Sequence, residues 1–141
     1  MSRKSTASSA ALSGPLYGVG VDILRLDRME QAYARHGERL VKKILCEAEQ
    51  QELQRRSKKG ARYLAMAFAG KEAFVKALGT GFRGVGYRDA GVVHEKSGKP
   101  VLIFSRKLQA QLKRRGVRGG HVSLSDEGGL ICAFVVLEKA G

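Results

Sequence analysis

Apolar and polar positions alternate along this chain in segments whose periods differ, and each period predicts an element. Leu16 to Leu24 (LYGVGVDIL) is a near-continuous apolar run holding one acid, Asp22, and suits a buried strand. Asp27 to His36 predicts a helix stopped by Gly37, and 38–56, rich in Glu, Gln, Leu and Arg, holds one or two more. A basic connection over 57–62 leads into a helix from Leu64 to Leu78. In that helix Met66, Gly70, Ala73, Phe74, Ala77 and Leu78 form an apolar stripe, while Leu64, Phe68 and Val75 occupy other faces, so it should be buried on most sides. Gly79 ends it, and Val85, Tyr87, Ala90, Val92 and Val93 look strand-like. Strands at 90–95 and 100–104 flank a turn at 96–99, and 105–115 reads as a basic amphipathic helix with Leu108 and Leu112 four apart. The C-terminal part reads as a hairpin, alternating over 121–125, turning at 126–129 and running apolar over 130–137. Mixed helices and antiparallel strands make the fold class α+β.

Composition narrows the picture. The 141 residues suit one domain, 15–141, behind a basic, Ser/Ala-rich stretch at 1–14 that reads as a disordered tail. No apolar run approaches the ~18 residues of a membrane-spanning helix, and Ala10 to Leu12 is too short for a signal-peptide core, so the expected place is cytoplasmic. A net charge of +13 draws the chain to anions without choosing among nucleic acid, phosphorylated ligands, acidic proteins and anionic lipid. Cys46 and Cys132 lack metal-ligand spacing and read as reduced residues in or near the core.

Four groups of residues could carry chemistry. GTGFRG, from Gly79 to Gly84, matches a dinucleotide-binding pattern but follows a helix, whereas that turn must follow a strand and open a helix. Glu72 and Lys76, four apart, could be an ordinary ion pair on a solvated face. Asp22 changes the balance, because a carboxylate in an apolar strand needs a compensating cation or hydrogen bonds. Two such acids suit Mg²⁺, which keeps waters and takes further oxygens from phosphate, with Lys76 on the same phosphate. Asp22 capping the next helix is an equal alternative. Gly79, Thr80 and Gly81 could end the helix or let backbone N–H groups approach a phosphate. His121, Ser123 and Ser125 share one strand face, which is either an anion-binding surface or simply solvated. Arg28 and Arg35, seven apart, share a helix face that could dock an acidic helix or face water.

Gly18 to Glu30 (GVGVDILRLDRME), Phe68 to Phe82 (FAGKEAFVKALGTGF), Ser97 to Leu102 (SGKPVL) and His121 to Glu127 (HVSLSDE) resemble, in order and spacing, the four signature blocks of the holo-acyl-carrier-protein synthase family. The resemblance runs from Tyr17 to Glu138. It implies the small α+β phosphopantetheinyl transferase fold, in a trimer with active sites between subunits. It also implies transfer of the 4′-phosphopantetheine arm of coenzyme A to a serine of apo acyl carrier protein, with adenosine 3′,5′-bisphosphate released. By position, Asp22 and Glu72 look like Mg²⁺ ligands and Lys76 like the residue serving the coenzyme A phosphates, with Gly79, Thr80 and Gly81 beside them. His121 and Lys58 resemble residues at the adenosine and 3′-phosphate end, with Ser123 on the same strand face as His121. Arg28 and Arg35 resemble a carrier-docking surface. Neither a nucleic acid nor a membrane is an expected partner.

One departure stands out. The family usually carries Arg before the Phe of its RFAAKEA-like block, where this chain has Ala67. Two rivals predict different chemistry. A small basic RNA- or ribosome-associated protein would use the positive charge, but the four tyrosines and five phenylalanines are not interleaved with basic residues as stacking platforms require. A structural homo-oligomer would keep the fold without the site. Neither rival predicts Mg²⁺-dependent binding of coenzyme A.

Overall fold

The computed structural model describes residues 14–56 and 59–141. The elements run β1 (Leu16–Arg25), α1 (Leu26–His36), α2 (Glu38–Ile44), α3 (Glu47–Arg56), α4 (Gly60–Leu78), β2 (Ala90–His94), β3 (Pro100–Phe104), α5 (Arg106–Arg114), β4 (Val117–Glu127) and β5 (Leu130–Lys139). This is the α+β class expected from the patterning. The predicted tail lies largely outside the described residues.

The central structure is an antiparallel sheet in the order β1-β5-β4, and β2 and β3 form a separate hairpin. Period two in the strands sends alternate residues to opposite faces. On one face Gly20, Val135 and Val122 share a row, followed by Asp22, Ala133 and Leu124. Helix α4 packs against that face, across β1 and β5. The other face carries the rows Val19–Val136–His121, Val21–Phe134–Ser123 and Ile23–Cys132–Ser125. Val19, Val21, Ile23, Leu130 and Phe134 are exposed there.

α4 is buried along most of its surface, as its apolar composition predicts, with Leu64, Ala69, Ala73 and Phe74 fully enclosed. Two small residues of β1 set how closely it approaches. A Cβ on Gly20 would run into the carbonyl oxygen of Ala73, and one on Gly18 into that of Ala77. α4 ends as expected, with Gly79 left-handed (φ 86°, ψ 10°) and its N–H donating to Val75 O and Lys76 O.

Three expectations need correction. α4 begins at Gly60, inside the span read as a connection. Val85 to Asp89 is not a strand. After the positive φ of Gly84 (74°) the chain forms a turn in which Asp89 Oδ2 accepts the Gly86 N–H at 2.8 Å, and β2 starts only at Ala90. The C-terminal hairpin is longer than predicted, since Asp126 and Glu127 belong to β4 and the turn is Gly128-Gly129.

Candidate functional site

Asp22 lies on the α4 side of β1, in the same face as the two glycines that let the helix approach. Lys76, one turn beyond Glu72 on α4, donates from Nζ to Asp22 Oδ1 at 3.3 Å and to Val21 O at 3.1 Å. Asp22 therefore answers to the helix above it. It does not cap α1, whose N-cap is Arg25 with no side-chain cap bond. Burial pushes the Glu72 carboxyl above the ordinary glutamate range, the charge of Asp22 pushes it further, and Lys76 opposes both. Two carboxylates thus repel across the β1/α4 contact, and the ammonium of Lys76, bonded to Asp22, offsets part of that repulsion. The Lys76 side chain is 53% exposed, so its ammonium is open to a ligand from solvent, while Asp22 is 15% exposed. The turn that follows α4 keeps its glycines open, since nothing stands within 4 Å of a Cβ placed on Gly79 or Gly81. Thr80 Oγ1 donates to Gly81 O at 2.7 Å.

Asp22, Glu72 and Lys76 are brought together as predicted, and the Gly79-Thr80-Gly81 turn follows directly on α4. His121 and Ser123 are not brought to them. Both project from the opposite face of the sheet, with His121 Nε2 3.1 Å from Glu138 Oε2, a carboxylate that Arg118 also contacts at 2.8 Å. Lys58 lies outside the described residues. Arg28 and Arg35 are exposed on α1, and Arg28 borders a groove with Ile23, Met29, Phe68 and Leu130. Among the described residues no group of three or more His, Cys, Asp or Glu could hold a metal ion, so any ion here would have only the two carboxylates from one chain.

Several features beside the site have no local sequence signal. Glu49 and Glu52 of α3 are buried. Glu49 pairs with Lys71 at 2.6 Å, and Glu52 accepts from the Tyr63 hydroxyl and the His94 N–H, each at 2.8 Å, with His94 Nδ1 also 2.8 Å away. A cavity of about 250 Å³ opens between α3, α4, β2 and β4, with Ala67 in its wall and Arg56, Lys59 and Arg62 around it. Arg62 forms an ion pair with Asp126 at 2.6 Å. These partners are far apart in sequence, so only the fold joins them.

A two-carboxylate centre on a strand and a buried helix, followed by an open glycine turn, defines a class that the comparisons make explicit. The chain belongs to the 4′-phosphopantetheinyl transferase superfamily, whose family model matches residues 18–135. Within it, the chain is 44% identical to the holo-[acyl-carrier-protein] synthase of Thiobacillus denitrificans over 89% of this chain and 95% of that protein. Among solved structures, the holo-[acyl-carrier-protein] synthase from Neisseria meningitidis superposes with a TM-score of 0.83 at 39% identity, over 88% of this chain and 99% of that one. The Bacillus anthracis enzyme, in complex with CoA (3′,5′-ADP), does so with a TM-score of 0.73 at 30% identity, over 90% and 100%. No helix among the described residues is long and apolar enough to cross a membrane.

Proposed function

We infer that this chain is a holo-acyl-carrier-protein synthase, which moves the 4′-phosphopantetheine arm of coenzyme A onto a serine of apo acyl carrier protein and releases adenosine 3′,5′-bisphosphate. The observation that carries this reading is the meeting of Asp22, Glu72 and Lys76 where α4 crosses β1. The holo-[acyl-carrier-protein] synthase relatives and the complex of the Bacillus anthracis enzyme support the choice of substrates.

The donor set fits Mg²⁺. Two carboxylate oxygens from one chain leave most of a coordination sphere to water and substrate phosphate, the pattern this ion favours. The mutual repulsion that raises Glu72 is what a cation would relieve. When bound, the ion would neutralise pyrophosphate oxygens and polarise the phosphoryl group. The chain's own residues do the rest. In the transfer, the serine Oγ forms a bond to the β-phosphorus while the bond from that phosphorus to the bridging oxygen breaks. Glu72, on the helix beside Asp22, is placed to receive the serine proton. Lys76 can swing from Val21 O onto the departing phosphate, whose negative charge grows as the bond breaks. In the turn Gly79-Thr80-Gly81 the N–H groups of Gly79 and Thr80 are held by α4 carbonyls, which leaves the Gly81 N–H to face the phosphate while the glycines keep the approach open. Arg28 and Arg35 supply cations to an acidic carrier.

We further propose that the site is completed between copies of the chain in a trimer. Asp22 and His121 sit on opposite faces of one sheet, and the face bearing His121 and Ser123 also exposes Val21, Ile23 and Phe134. An apolar face of this kind is suited to cover by a neighbour, whose own Asp22 side would then meet His121. A cytoplasmic place suits this reading and the two free cysteines. Neither nucleic acid nor membrane has a part in it.

Intact-mass spectrometry of apo acyl carrier protein incubated with this protein, coenzyme A and Mg²⁺ tests the reaction, with EDTA as control. A gain of one phosphopantetheine arm that EDTA prevents is expected. No gain would reject the transferase reading.

A further inference from the structure

Helix α5 grips the connection between α4 and β2 at two points, and the chemistry derived above uses neither. Gln111 Nε2 donates to Gly84 O at 2.9 Å. At the start of the same helix Ser105 Oγ donates to Asp89 Oδ1 at 2.8 Å, and Lys107 Nζ donates to Asp89 Oδ2 at 3.3 Å. α5 is a firm support, because Leu108 and Leu112 are buried and Ser105 Oγ caps its first turn by accepting the Leu108 N–H at 3.1 Å. Between the two grips Tyr87 stacks on Phe82, with ring centroids 4.4 Å apart, and meets Phe68 at 5.8 Å on its other side. Phe68 lies on α4 one turn before Glu72.

The segment these contacts brace is the glycine turn at 79–84. Its near end is fixed by α4, since the Gly79 and Thr80 N–H groups donate to Val75 O at 2.9 and 3.3 Å. Beyond it Gly81 and Gly84 have positive φ, at 59° and 74°, so the turn contains the residues with the most freedom to lose. Held only at α4, such a turn would have to be ordered by its ligand, at a cost in conformational entropy. Gln111 and Tyr87 fix the far end, one through the carbonyl of Gly84 and the other through the ring of Phe82. A site ordered in advance binds more tightly, because less freedom is lost on association. Resting on the transferase reading, the ligand that gains is coenzyme A, whose phosphate the Gly81 N–H would face.

We propose that Gln111 is a positioning residue for the transfer: together with Tyr87 it holds the turn at 79–84 in the shape that receives the coenzyme A phosphate, and so raises the affinity for coenzyme A from outside the site. The two contacts reach the turn from different elements, α5 and the connection at 85–89, so losing both should have a larger effect than losing either. Asp22, Glu72 and Lys76 meet without them, so the effect falls on coenzyme A and not on the carrier.

Steady-state transfer with the KM for coenzyme A and the KM for apo acyl carrier protein measured separately tests this. Gln111→Met keeps the length of the side chain and removes the donor. It should raise the KM for coenzyme A by about threefold to tenfold, the range that one hydrogen bond contributes, and leave kcat and the KM for the carrier within about twofold. Tyr87→Leu should act in the same direction, Tyr87→Phe should keep the native KM because the ring stays, and Gln111→Met with Tyr87→Leu should exceed either single change. In protein labelled with ¹⁵N-glycine, the Gly81 and Gly84 amide signals should broaden in Gln111→Met and sharpen again when coenzyme A is added. A native KM for coenzyme A in Gln111→Met would overturn the proposal even if Tyr87→Leu failed to fold, since Gln111 lies outside the buried core. An equal rise in both KM values would overturn it too, as the mark of a general loosening. Absence of any transfer by the native protein overturns the transferase reading and this inference with it, whereas transfer with an unmoved KM for coenzyme A overturns this inference alone.

Discussion

Lys71 donates from Nζ to Glu49 Oε1 at 2.6 Å, and neither side chain is open to water, at 1% and 0% exposure. The pair ties α4 to α3, and a second bond from Lys71 to Ala90 O ties both to β2. Glu49 completes its coordination with the N–H groups of Cys46 at 3.0 Å and Val92 at 2.8 Å. Because Lys71 directly precedes Glu72, this buried knot fixes the rotation of α4 that aims Glu72 at Asp22.

Breaking the knot on one side leaves a buried charge without its partner. Lys71→Met should therefore destabilise the fold by about 3–5 kcal/mol, whereas Lys71→Met combined with Glu49→Gln should cost less than the two single changes added together. Urea denaturation of the three variants measures the coupling. Additive costs would show that the two residues act separately.

Gly20 faces the carbonyl of Ala73 with no room for a Cβ. Gly20→Ala should cost about 1–3 kcal/mol through overpacking and move α4 away from β1, separating Lys76 from Asp22. Transfer activity should fall further than stability does, because the displaced contact is the site itself. Unchanged activity in a folded Gly20→Ala protein would show that the site tolerates the wider spacing.

Asp22 stands out in the sequence because an acid in an apolar strand violates the expected pattern, but that pattern leaves Asp22 equally able to cap the next helix and Glu72 with Lys76 readable as an ordinary ion pair, and only the packing of α4 on β1 sets the three side by side. Lys71 broke the same pattern unseen: a lysine among apolar residues reads as a solvated position unless its partner is known, and Glu49 is 22 residues away. Arg62 and Asp126, separated by 64 residues, are joined only by the packing of α4 over the end of β4. Val85 and Tyr87 alternate like a strand, yet the glycines at 84 and 86 and the Asp89 carboxylate turn the chain instead. The two-faced sheet was half visible. The alternation of 121–125 put His121 and Ser123 on one side, but that Asp22 faces the other side depends on the β1-β5-β4 register.

Glu52 gives the fold a dependence on acid. Burial works to raise its carboxyl, but hydrogen bonds from the His94 ring, the His94 N–H and the Tyr63 hydroxyl outweigh burial and hold it below the ordinary glutamate value. With the folded value below the unfolded one, ionised Glu52 stabilises the protein fully above the ordinary value of about 4.3, and that contribution is lost as pH falls through the folded value. Melting temperatures should decline below that pH, and Glu52→Gln should flatten this part of the profile. An identical acid slope in the variant would assign the loss to other carboxylates.

Mg²⁺ should stabilise the native protein when added with coenzyme A, since a ligand at a hundred times its Kd contributes about 2.7 kcal/mol. Asp22→Asn and Glu72→Gln should each abolish the part of the thermal shift that depends on Mg²⁺ and lower transfer by about 100-fold or more, a barrier change of about 2.7 kcal/mol or more. Variants that keep both the shift and the activity would remove these carboxylates from the metal site.

The strongest consequence of the sheet geometry concerns mixtures. If Asp22 of one copy works with His121 of a neighbour, then Asp22→Asn and His121→Ala proteins, each impaired alone, should regain activity when unfolded together and refolded. Some interfaces in the mixed assembly would then pair an intact Asp22 with an intact His121, while other interfaces would collect both lesions. A site contained in one chain predicts no gain on mixing. Val21→Glu separates the remaining possibilities: it places a charge in the middle of the row shared with Phe134 and Ser123, so it should lower the assembled mass in solution and the activity together, although Val21 is 48% exposed in the single chain. A surface valine that merely faces water would tolerate that change with an effect within about 0.5 kcal/mol on stability and none on assembly.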